Sequence, residues 1–363
     1  MLLINNQDVE SLLTIHYCIE VLEDAYREWG FGRAAQFPKE GRMDLTAPSP
    51  GPELARRFTW GAMAGVLPKQ GIFALRQKLD IHYHVEHPAG EVTQEKFSIA
   101  PGTYSGFILL VSTLNAEPLA IVNDGIIQHL RVAGTSAVAA KYLARKDSET
   151  LGLIGSGGMA RTHIAAFCAI RPIKRVRVYS MTPANRERFA REMSETLGVE
   201  ILAVTTPEAA LEGADIASFC TDSVKPVMAH TDWVKPGMHF TSVLHSEIGN
   251  APERAEVIVL HERGGIVEEK ALGEGLPAGG EVSMRTPYGM WLERDRQDLP
   301  TLAELLAGQA PGRTSPDQVS YFHNLPGAGI QFAAVGAKLL ELARDREVGT
   351  RIPTEWFTQD IRD

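Results

Sequence analysis

Residues 151–160 read LGLIGSGGMA, and this stretch decides the fold. A short apolar run leads into a turn of the form GxGxxA, made by Gly155, Gly157 and Ala160, and a helical pattern follows. In such turns the first glycine permits a sharp bend, the second lets a pyrophosphate approach the backbone, and the third small residue lets helix and strand pack closely. The stretch predicts a dinucleotide site, and the alternative is a glycine-rich turn that binds nothing. Six residues are expected to contact the cofactor: Gly155, Ser156, Gly157, Gly158, Met159 and Ala160.

Short apolar runs also occur after the turn, at residues 176–179, 201–204, 216–219 and 240–243, with helical patterns or turns between most of them. This alternation predicts βαβ units and a parallel sheet. Ligands bind at the carboxyl ends of such strands. Five residues that end two of the runs are therefore expected near the cofactor, the first three beside its nicotinamide ribose: Thr221, Asp222, Ser223, Val243 and Leu244.

The second run ends at Ser180 without the acidic residue that grips the ribose 2′-hydroxyl of NAD. Ser180, Thr182 and Arg186 can instead hydrogen-bond a 2′-phosphate, since arginine offers a fork of donors matched to phosphate. The sequence favours NADP(H), and NAD(H) stays possible. The alternative for Arg186 is a solvated helix residue.

The rest of the chain predicts a second domain of mixed α+β structure. Residues 6–29 and 127–144 have helical spacing, residues 37–68 are irregular, and residues 71–122 predict a mostly antiparallel sheet. Residues 264–286 predict a loop, and residues 331–344 a helix that returns to the amino-terminal domain. The predicted fold class is α/β, with a Rossmann dinucleotide-binding domain at 127–324 and the second domain at 1–126 and 325–363.

Composition narrows the class of protein. The 363 residues carry a formal net charge of -9, with 44% hydrophobic and 22% charged residues, which is typical of a globular protein and argues against nucleic acid as a partner. Cys18, Cys168 and Cys220 lack metal-ligand spacing, so we expect no disulfide and no metal site. The amino terminus lacks a signal-peptide pattern and no apolar run can span a bilayer, so we expect a cytoplasmic protein without a membrane partner.

Several stretches around the turn resemble the ornithine cyclodeaminase/mu-crystallin family across almost the whole chain. The match rests on DGIIQHLRVAGTSAVAAKYLA at 124–144, GRM at 41–43, QKL at 77–79, ADI at 214–216 with CTDS at 220–223, and KPGMHF at 235–240. The resemblance implies that Arg42, Lys78 and Arg131 hold a substrate carboxylate. It also implies that the second domain binds substrate and forms a homodimer. Cationic donors suit a buried carboxylate, which arginine can bind bidentately.

One departure from the family pattern bears on the reaction. Cyclodeaminases of the family carry an aspartate after the fifth Rossmann strand, where a gapless match puts Ser246, as in the reductase branch similar to mu-crystallin. A hydroxyl cannot replace a carboxylate as a base near neutral pH. His245 is a neighbouring candidate acid, and Glu247 would take the role if the loop were shifted by one residue. Val132 also replaces the family's threonine after the helix arginine.

We therefore expect an NAD(P)H-dependent oxidoreductase that reduces the imine of a small 2-keto or amino acid, or runs the reverse amino-acid dehydrogenation. Lys78 is a candidate proton donor to the imine nitrogen, with Ser246 and His245 as further catalytic candidates. The alternatives are an ornithine-type cyclodeaminase using bound NAD⁺ and a nucleotide-dependent binding protein. His82, Tyr83 and His84, with the segment through Phe97, either shape the pocket or form a solvated hairpin.

Overall fold

The computed structural model describes residues 1–37, 40–47, 56–86, 92–223, 225–228, 230–244, 246–263, 267–272, 281–282, 298–325 and 327–361. This part of the chain holds two β-sheets that share helices between them. Its α-helices are α1 (Asn6–Leu12), α2 (Ile15–Gly30), α3 (Gly125–Leu143), α4 (Gly158–Ile170), α5 (Pro183–Leu197), α6 (Pro207–Leu211), α7 (Leu302–Leu306) and α8 (Gly329–Asp345).

The first sheet is built largely from the amino-terminal third of the chain. Its strands are β1 (Leu2–Ile4), β2 (Ala35–Gln36), β3 (Glu40–Ala47), β4 (Arg56–Leu67), β5 (Ile72–Glu86), β6 (Val92–Ser98), β7 (Ala100–Pro101), β8 (Ser105–Ser112), β9 (Pro118–Asn123), β16 (Val267–Leu272), β17 (Glu281–Val282) and β19 (Thr350–Arg351). The main path runs β17-β16-β3-β4-β5-β8-β9-β1-β19. The antiparallel pairing of β5, β8 and β9 confirms the sheet predicted for residues 71–122.

Two segments predicted to be irregular contain strands. Most of residues 37–68 belongs to β3 and β4, which pair with each other and, through β4, with the long strand β5. Within residues 264–286, β16 pairs in parallel with β3. Proline and glycine mask the strand pattern in both segments, and the pairing partners lie far away in sequence, so local propensity misses them.

The second sheet is parallel throughout and follows the order β12-β11-β10-β13-β14-β18-β15. Its strands are β10 (Thr150–Ile154), β11 (Arg175–Tyr179), β12 (Glu200–Ala203), β13 (Ile216–Phe219), β14 (His239–Ser242), β15 (Val257–Leu260) and β18 (Ser320–His323). The order reverses between β10 and β13, which is the switch point where open α/β sheets bind ligands. This confirms the predicted Rossmann unit.

Helix α3 joins the two sheets, because it packs against α2 on one side and α4 on the other. Most of its residues are buried, so its hydrophobic pattern runs around the whole helix. Gly134 faces α2 closely: a Cβ placed there would lie 2.8 Å from Leu22 Cδ1. The position of α3 fixes how the amino-terminal sheet meets the Rossmann unit.

Helix α8 packs on β4 and β5 of the first sheet. The approach is backbone to backbone, since a Cβ at Gly65 would lie 2.3 Å from the Gly329 carbonyl carbon, and one at Gly329 would lie 2.0 Å from the Ala64 oxygen. The helix predicted at residues 331–344 is thus confirmed, and it contacts the amino-terminal sheet.

The division into domains at residues 126–127 and 324–325 stays a proposal, with one amendment. Strand β16 falls inside the range assigned to the Rossmann domain, yet it extends the other sheet.

The thiols of Cys18 and Cys220 are buried, and that of Cys168 is partly so. Among the described helices, each is too short or too polar to cross a bilayer.

Candidate active site

The glycine turn has the geometry that a bound pyrophosphate requires. Gly155 has φ +113°, and a Cβ there would lie 2.4 Å from the Cys220 carbonyl oxygen, so only glycine fits. Gly157 is the N-cap of α4 without a side-chain cap, and a Cβ on it would meet no described atom within 4 Å. Ala160 is fully buried, as close helix-strand packing requires. The turn therefore leaves open space and uncapped N–H groups for a phosphate.

The other predicted cofactor residues lie at the same edge of the sheet. Thr221, Asp222 and Ser223 follow β13, and Val243 and Leu244 follow β14. Asp222 is exposed, whereas the other four are half-buried. In the turn itself, Ser156 Oγ donates to Ser180 Oγ at 2.9 Å, and Gly158 and Met159 form the first turn of α4.

Glu247 holds the loops after β13 and β14 together. Its carboxylate accepts from Thr221 N at 2.5 Å and from Leu244 N at 2.8 Å, and the side chain is fully buried. Burial raises its pKa to about 7, although the backbone donors favour the charged form. Both carboxylate oxygens accept hydrogen bonds from backbone amides, so Glu247 holds the two loops together. This argues against Glu247 as the catalytic carboxylate that a one-residue shift of the loop would provide.

The end of β11 is where the adenosine ribose would lie. Arg186 is 9% exposed, and its Nη1 donates to the backbone oxygens of Ser180 at 2.9 Å and Met181 at 3.3 Å. Arg186 is therefore not a solvated residue, and one nitrogen of its guanidinium already binds backbone carbonyls instead of a phosphate. Thr182 is the N-cap of α5, and its hydroxyl makes no cap hydrogen bond. The amino end of α5 adds a favourable position for an anion.

Lys78 lies in a row of residues that crosses the first sheet. Arg42 on β3 pairs with Gly61 on β4, Gly61 with Lys78 on β5, and Lys78 with Gly106 on β8. The Cα atoms of Arg42 and Lys78 are thus two strand spacings apart, about 10 Å. The strand neighbours of Lys78 are both glycines, and the space over Gly106 is taken by Tyr104 Oη and the Asp124 carboxylate, 2.6 and 3.0 Å from where a Cβ would lie. The side chain of Arg42 falls outside the described part, so its predicted role stays a prediction.

The Lys78 ammonium is partly exposed and contacts a buried carboxylate. It pairs with Asp80, whose side chain is 1% exposed, while Lys78 itself is 30% exposed. Burial and the positive field of Lys96 lower the pKa of Lys78 to about 8, and Asp80 opposes this shift. An amine with this pKa can both give and take a proton near neutral pH.

Arg131 on α3 is a buried cation held by neutral groups. Its Nη1 donates to Gln331 Oε1 at 2.8 Å and its Nη2 to Gln128 Oε1 at 2.8 Å, whereas Nε has no hydrogen-bond partner among the described residues. The side chain is 5% exposed. Burial and the neighbouring Arg76 lower its pKa to about 10. A buried guanidinium without a carboxylate partner is suited to an anionic ligand.

Arg76 was missed by the sequence analysis. Two residues before Lys78 on the same strand, it lies on the same face of the sheet, and this period of two was the signal that would have found it. It forms a buried ion pair with Asp124 at 2.6 Å and contacts Tyr104 Oη. Arg76 and Arg131 both lie over the Phe332 ring, with centroid distances of 5.3 and 5.1 Å.

Gln331 and His129 were also missed. Gln331 is fully buried near the start of α8 and orients Arg131, but no local pattern marks such a residue. His129, two residues before Arg131 on α3, lies against the glycine turn: a Cβ on Gly158 would be 2.7 Å from His129 Cε1. Helix α3 therefore carries Arg131 and also contacts the glycine turn through His129.

The structure does not describe the side chains of the two predicted catalytic residues in the loop after β14, so their roles stay predictions. His245 lies outside the described residues. The backbone of Ser246 opens a short helical turn, Ser246–Ile248, but its side chain also falls outside the description. Of the hairpin residues, Tyr83 is half-buried, while the side chains of His82 and His84 are likewise not described.

The chain is similar to known proteins of one family. The sequence profile of the ornithine cyclodeaminase/mu-crystallin family matches residues 92–341. An ornithine cyclodeaminase from Agrobacterium fabrum is 30% identical over 266 residues, which is 72% of this chain and 66% of that protein.

Two solved structures have the same fold over nearly the whole chain. One is the Thermococcus litoralis Δ1-pyrroline-2-carboxylate reductase in complex with NADH and L-proline, with a TM-score of 0.75, 27% identity, and coverage of 97% of this chain and 100% of that one. The other is an archaeal alanine dehydrogenase dimer with bound NAD, with a TM-score of 0.73, 25% identity, and coverage of 97% and 99%.

Proposed function

The chain belongs to the ornithine cyclodeaminase/mu-crystallin family, and from this premise we propose that it is an NAD(P)H-dependent reductase of an imine formed from a small 2-oxo acid. The reverse reaction would be an amino-acid dehydrogenation. The relatives solved with NADH or NAD support a nicotinamide cofactor, and a reductase and a dehydrogenase are among them.

One observation carries the proposal. Arg131 is a buried guanidinium without a carboxylate partner among the described residues, and its helix also touches the glycine turn through His129. Removing a charge from water without pairing it is unfavourable, so the site favours a ligand that brings a carboxylate. A substrate carboxylate bound there would lie next to the cofactor turn.

The residues take distinct roles in this reaction. With its pyrophosphate held at residues 155–160, the reduced cofactor would supply a hydride to the C2 carbon of the imine. Arg131, together with Arg42 and Lys78, holds the carboxylate and so positions C2, which is catalysis by orientation. Lys78, with a pKa of about 8, gives a proton to the nitrogen, and His245 and Ser246 stay further candidates.

For the cofactor we propose NADP(H) over NAD(H). Support comes from the absence of an acid at Ser180 after β11, together with the uncapped Thr182 hydroxyl at the amino end of α5. Arg186 would approach a 2′-phosphate only with the guanidinium atoms that do not bind the Ser180 and Met181 carbonyls.

Cyclodeamination is less well supported. The carboxylate nearest to the expected position, Glu247, is fully buried and accepts from two backbone amides. A carboxylate used in this way is not free to act as a base.

We also propose a homodimer formed through the first sheet. One face of β4, β5, β8 and β9 carries a continuous set of half-exposed apolar side chains, which on a monomer mark an interface. They are Phe58, Trp60, Phe73, Leu75, Leu79, Ile81, Phe107, Leu109, Val111 and Ile121. A second copy would cover this face by symmetry.

The decisive experiment is a screen of NADPH and NADH oxidation with 2-oxo acids plus ammonia or methylamine, and with Δ1-pyrroline-2-carboxylate. We expect turnover with at least one, and we expect Lys78→Ala to lower kcat about 10² to 10⁴-fold while the Kd for NADPH is unchanged. The exposed Lys69→Ala is the control. Ammonia release from ornithine without net cofactor oxidation would instead identify a cyclodeaminase, and loss of NADPH binding in Lys78→Ala would show that Lys78 is misassigned.

A further inference from the structure

Among the described residues, the charges around Arg131 and Lys78 do not balance for a substrate with one carboxylate. Arg76 is neutralised by Asp124, at 2.6 Å, and Lys78 pairs with Asp80. Two cations are left without a carboxylate partner in this part of the chain: Arg131, discussed above, and Lys96.

Lys96 lies on the same face of the sheet as Lys78 and contacts the same group of side chains. Lys96, on β6, pairs with residue 82 of β5, and directly opposed residues point to the same face of a sheet. Side chains alternate between the two faces along β5, so residues 82 and 78 share a face, and Lys96 lies on the face that carries Lys78. Its Nζ is 5.1 Å from the centre of the Tyr104 ring. Tyr104 in turn donates to Asp124 at 2.5 Å and contacts Arg76.

The field of Lys96 reaches both halves of the site. After burial, Lys96 is the largest cause of the lowered pKa of Lys78, and also of the lowered pKa of His129 beside the glycine turn. The cation is half-buried, so water screens it only in part. A carboxylate bound beside Lys96 would therefore interact with a charge that is only partly screened.

We propose that the substrate carries a second carboxylate at the end of its side chain and that Lys96 binds it, which makes the substrate class the imines of four- or five-carbon 2-oxo dicarboxylic acids. The inference rests on the proposed function. Ammonia condenses with the 2-oxo group and releases water; C2 of the imine then gains the hydride while nicotinamide is oxidised, and nitrogen gains one proton. The product is an acidic amino acid. A neutral side chain would make no ion pair with Lys96, so the site also discriminates against monocarboxylates.

The test compares pairs of equal chain length in the presence of ammonia: oxaloacetate with 2-oxobutyrate, and 2-oxoglutarate with 2-oxopentanoate. We expect kcat/KM for the better dicarboxylate to exceed that of its partner at least 10-fold. Lys96→Met should remove this preference, mainly through KM for the dicarboxylate. Lys69→Met, an exposed lysine of the same sheet region, is the matched control and should leave the preference intact.

A binding measurement separates this inference from the proposed function. Calorimetric titration of the protein with its oxidised cofactor should show succinate or glutarate binding at least 10-fold more tightly than butyrate, and Lys96→Met should abolish the difference. Dicarboxylate binding without any turnover would refute the reductase and keep the Lys96 site. Turnover of monocarboxylates without preference would keep the reductase and overturn the site. A raised Kd for the dinucleotide in Lys96→Met would place Lys96 on the cofactor and also overturn the inference.

Discussion

At the scale of single residues, the site depends on how each charge is compensated. Arg76 has a buried carboxylate partner, Lys78 has a partner while remaining partly exposed, and Arg131 has only amide oxygens. These three neighbouring cations therefore have different roles. Arg76 is structural, Lys78 can titrate, and Arg131 is left for a ligand.

Lys78 predicts the pH dependence of the reaction. Its pKa falls from 10.5 to about 8, so the ammonium that gives the proton is half lost near pH 8. In the reductive direction kcat/KM should fall as pH rises through about 8, and in the oxidative direction it should rise. Asp80 raises this pKa, so Asp80→Asn should move the descending limb to lower pH. A profile that is unchanged in Asp80→Asn would contradict the role of Lys78.

Ser180 predicts the cofactor preference. Ser180→Asp places a carboxylate at the end of β11, where it would accept from ribose hydroxyls and repel a 2′-phosphate. The ratio of kcat/KM for NADPH over NADH should drop by at least about 10-fold, which corresponds to about 1.4 kcal/mol. An equal loss with both cofactors would mean that the substitution only disturbs the contact with Ser156.

At the scale of elements, two helices bring the site together. Helix α3 carries both His129 and Arg131, and α8 supplies Gln331, which holds Arg131 in place. The amino end of α8 reaches this position because Gly65 and Gly329 let helix and strand meet backbone to backbone.

Two glycine substitutions should separate folding from cofactor binding. Gly329→Ala forces a Cβ to within 2.0 Å of the Ala64 oxygen, so the free energy of unfolding should fall by about 1–3 kcal/mol and KM for the acid substrate should rise. Gly157→Ala meets no described atom within 4 Å, so stability should change little while the Kd for the dinucleotide rises. Urea unfolding and a fluorescence titration measure the two effects. Equal effects of both variants on both readouts would contradict these separate roles.

At the scale of the whole molecule, the two faces of the first sheet have different partners. The face that carries Arg76 also packs on α8, whereas the opposite face carries half-exposed apolar side chains. A sheet that buries only one face within the monomer requires a second cover for an apolar outer face.

Leu109 lies within this apolar face and tests the proposed dimer. It pairs with Leu75 on one side and Ile121 on the other. Leu109→Glu would bury a charge in a symmetric interface, so we expect sedimentation to report a dimer for the native chain and a monomer for the variant. Thr113→Glu, at an exposed position beyond the end of the same strand, is the control. A native monomer would refute the interface.

The sequence by itself determined the parallel sheet, the glycine turn and the presence of Lys78 and Arg131, because these depend on local patterns: strand and helix periods, and a turn that only small residues can make. Tertiary structure alone decided that β3, β4 and β16 are strands, that Arg76 is neutralised while Arg131 is not, and that Glu247 clamps two loops. Each of these depends on partners distant in sequence. A charge is free or compensated only with respect to its neighbours in space, and a linear pattern does not contain those neighbours.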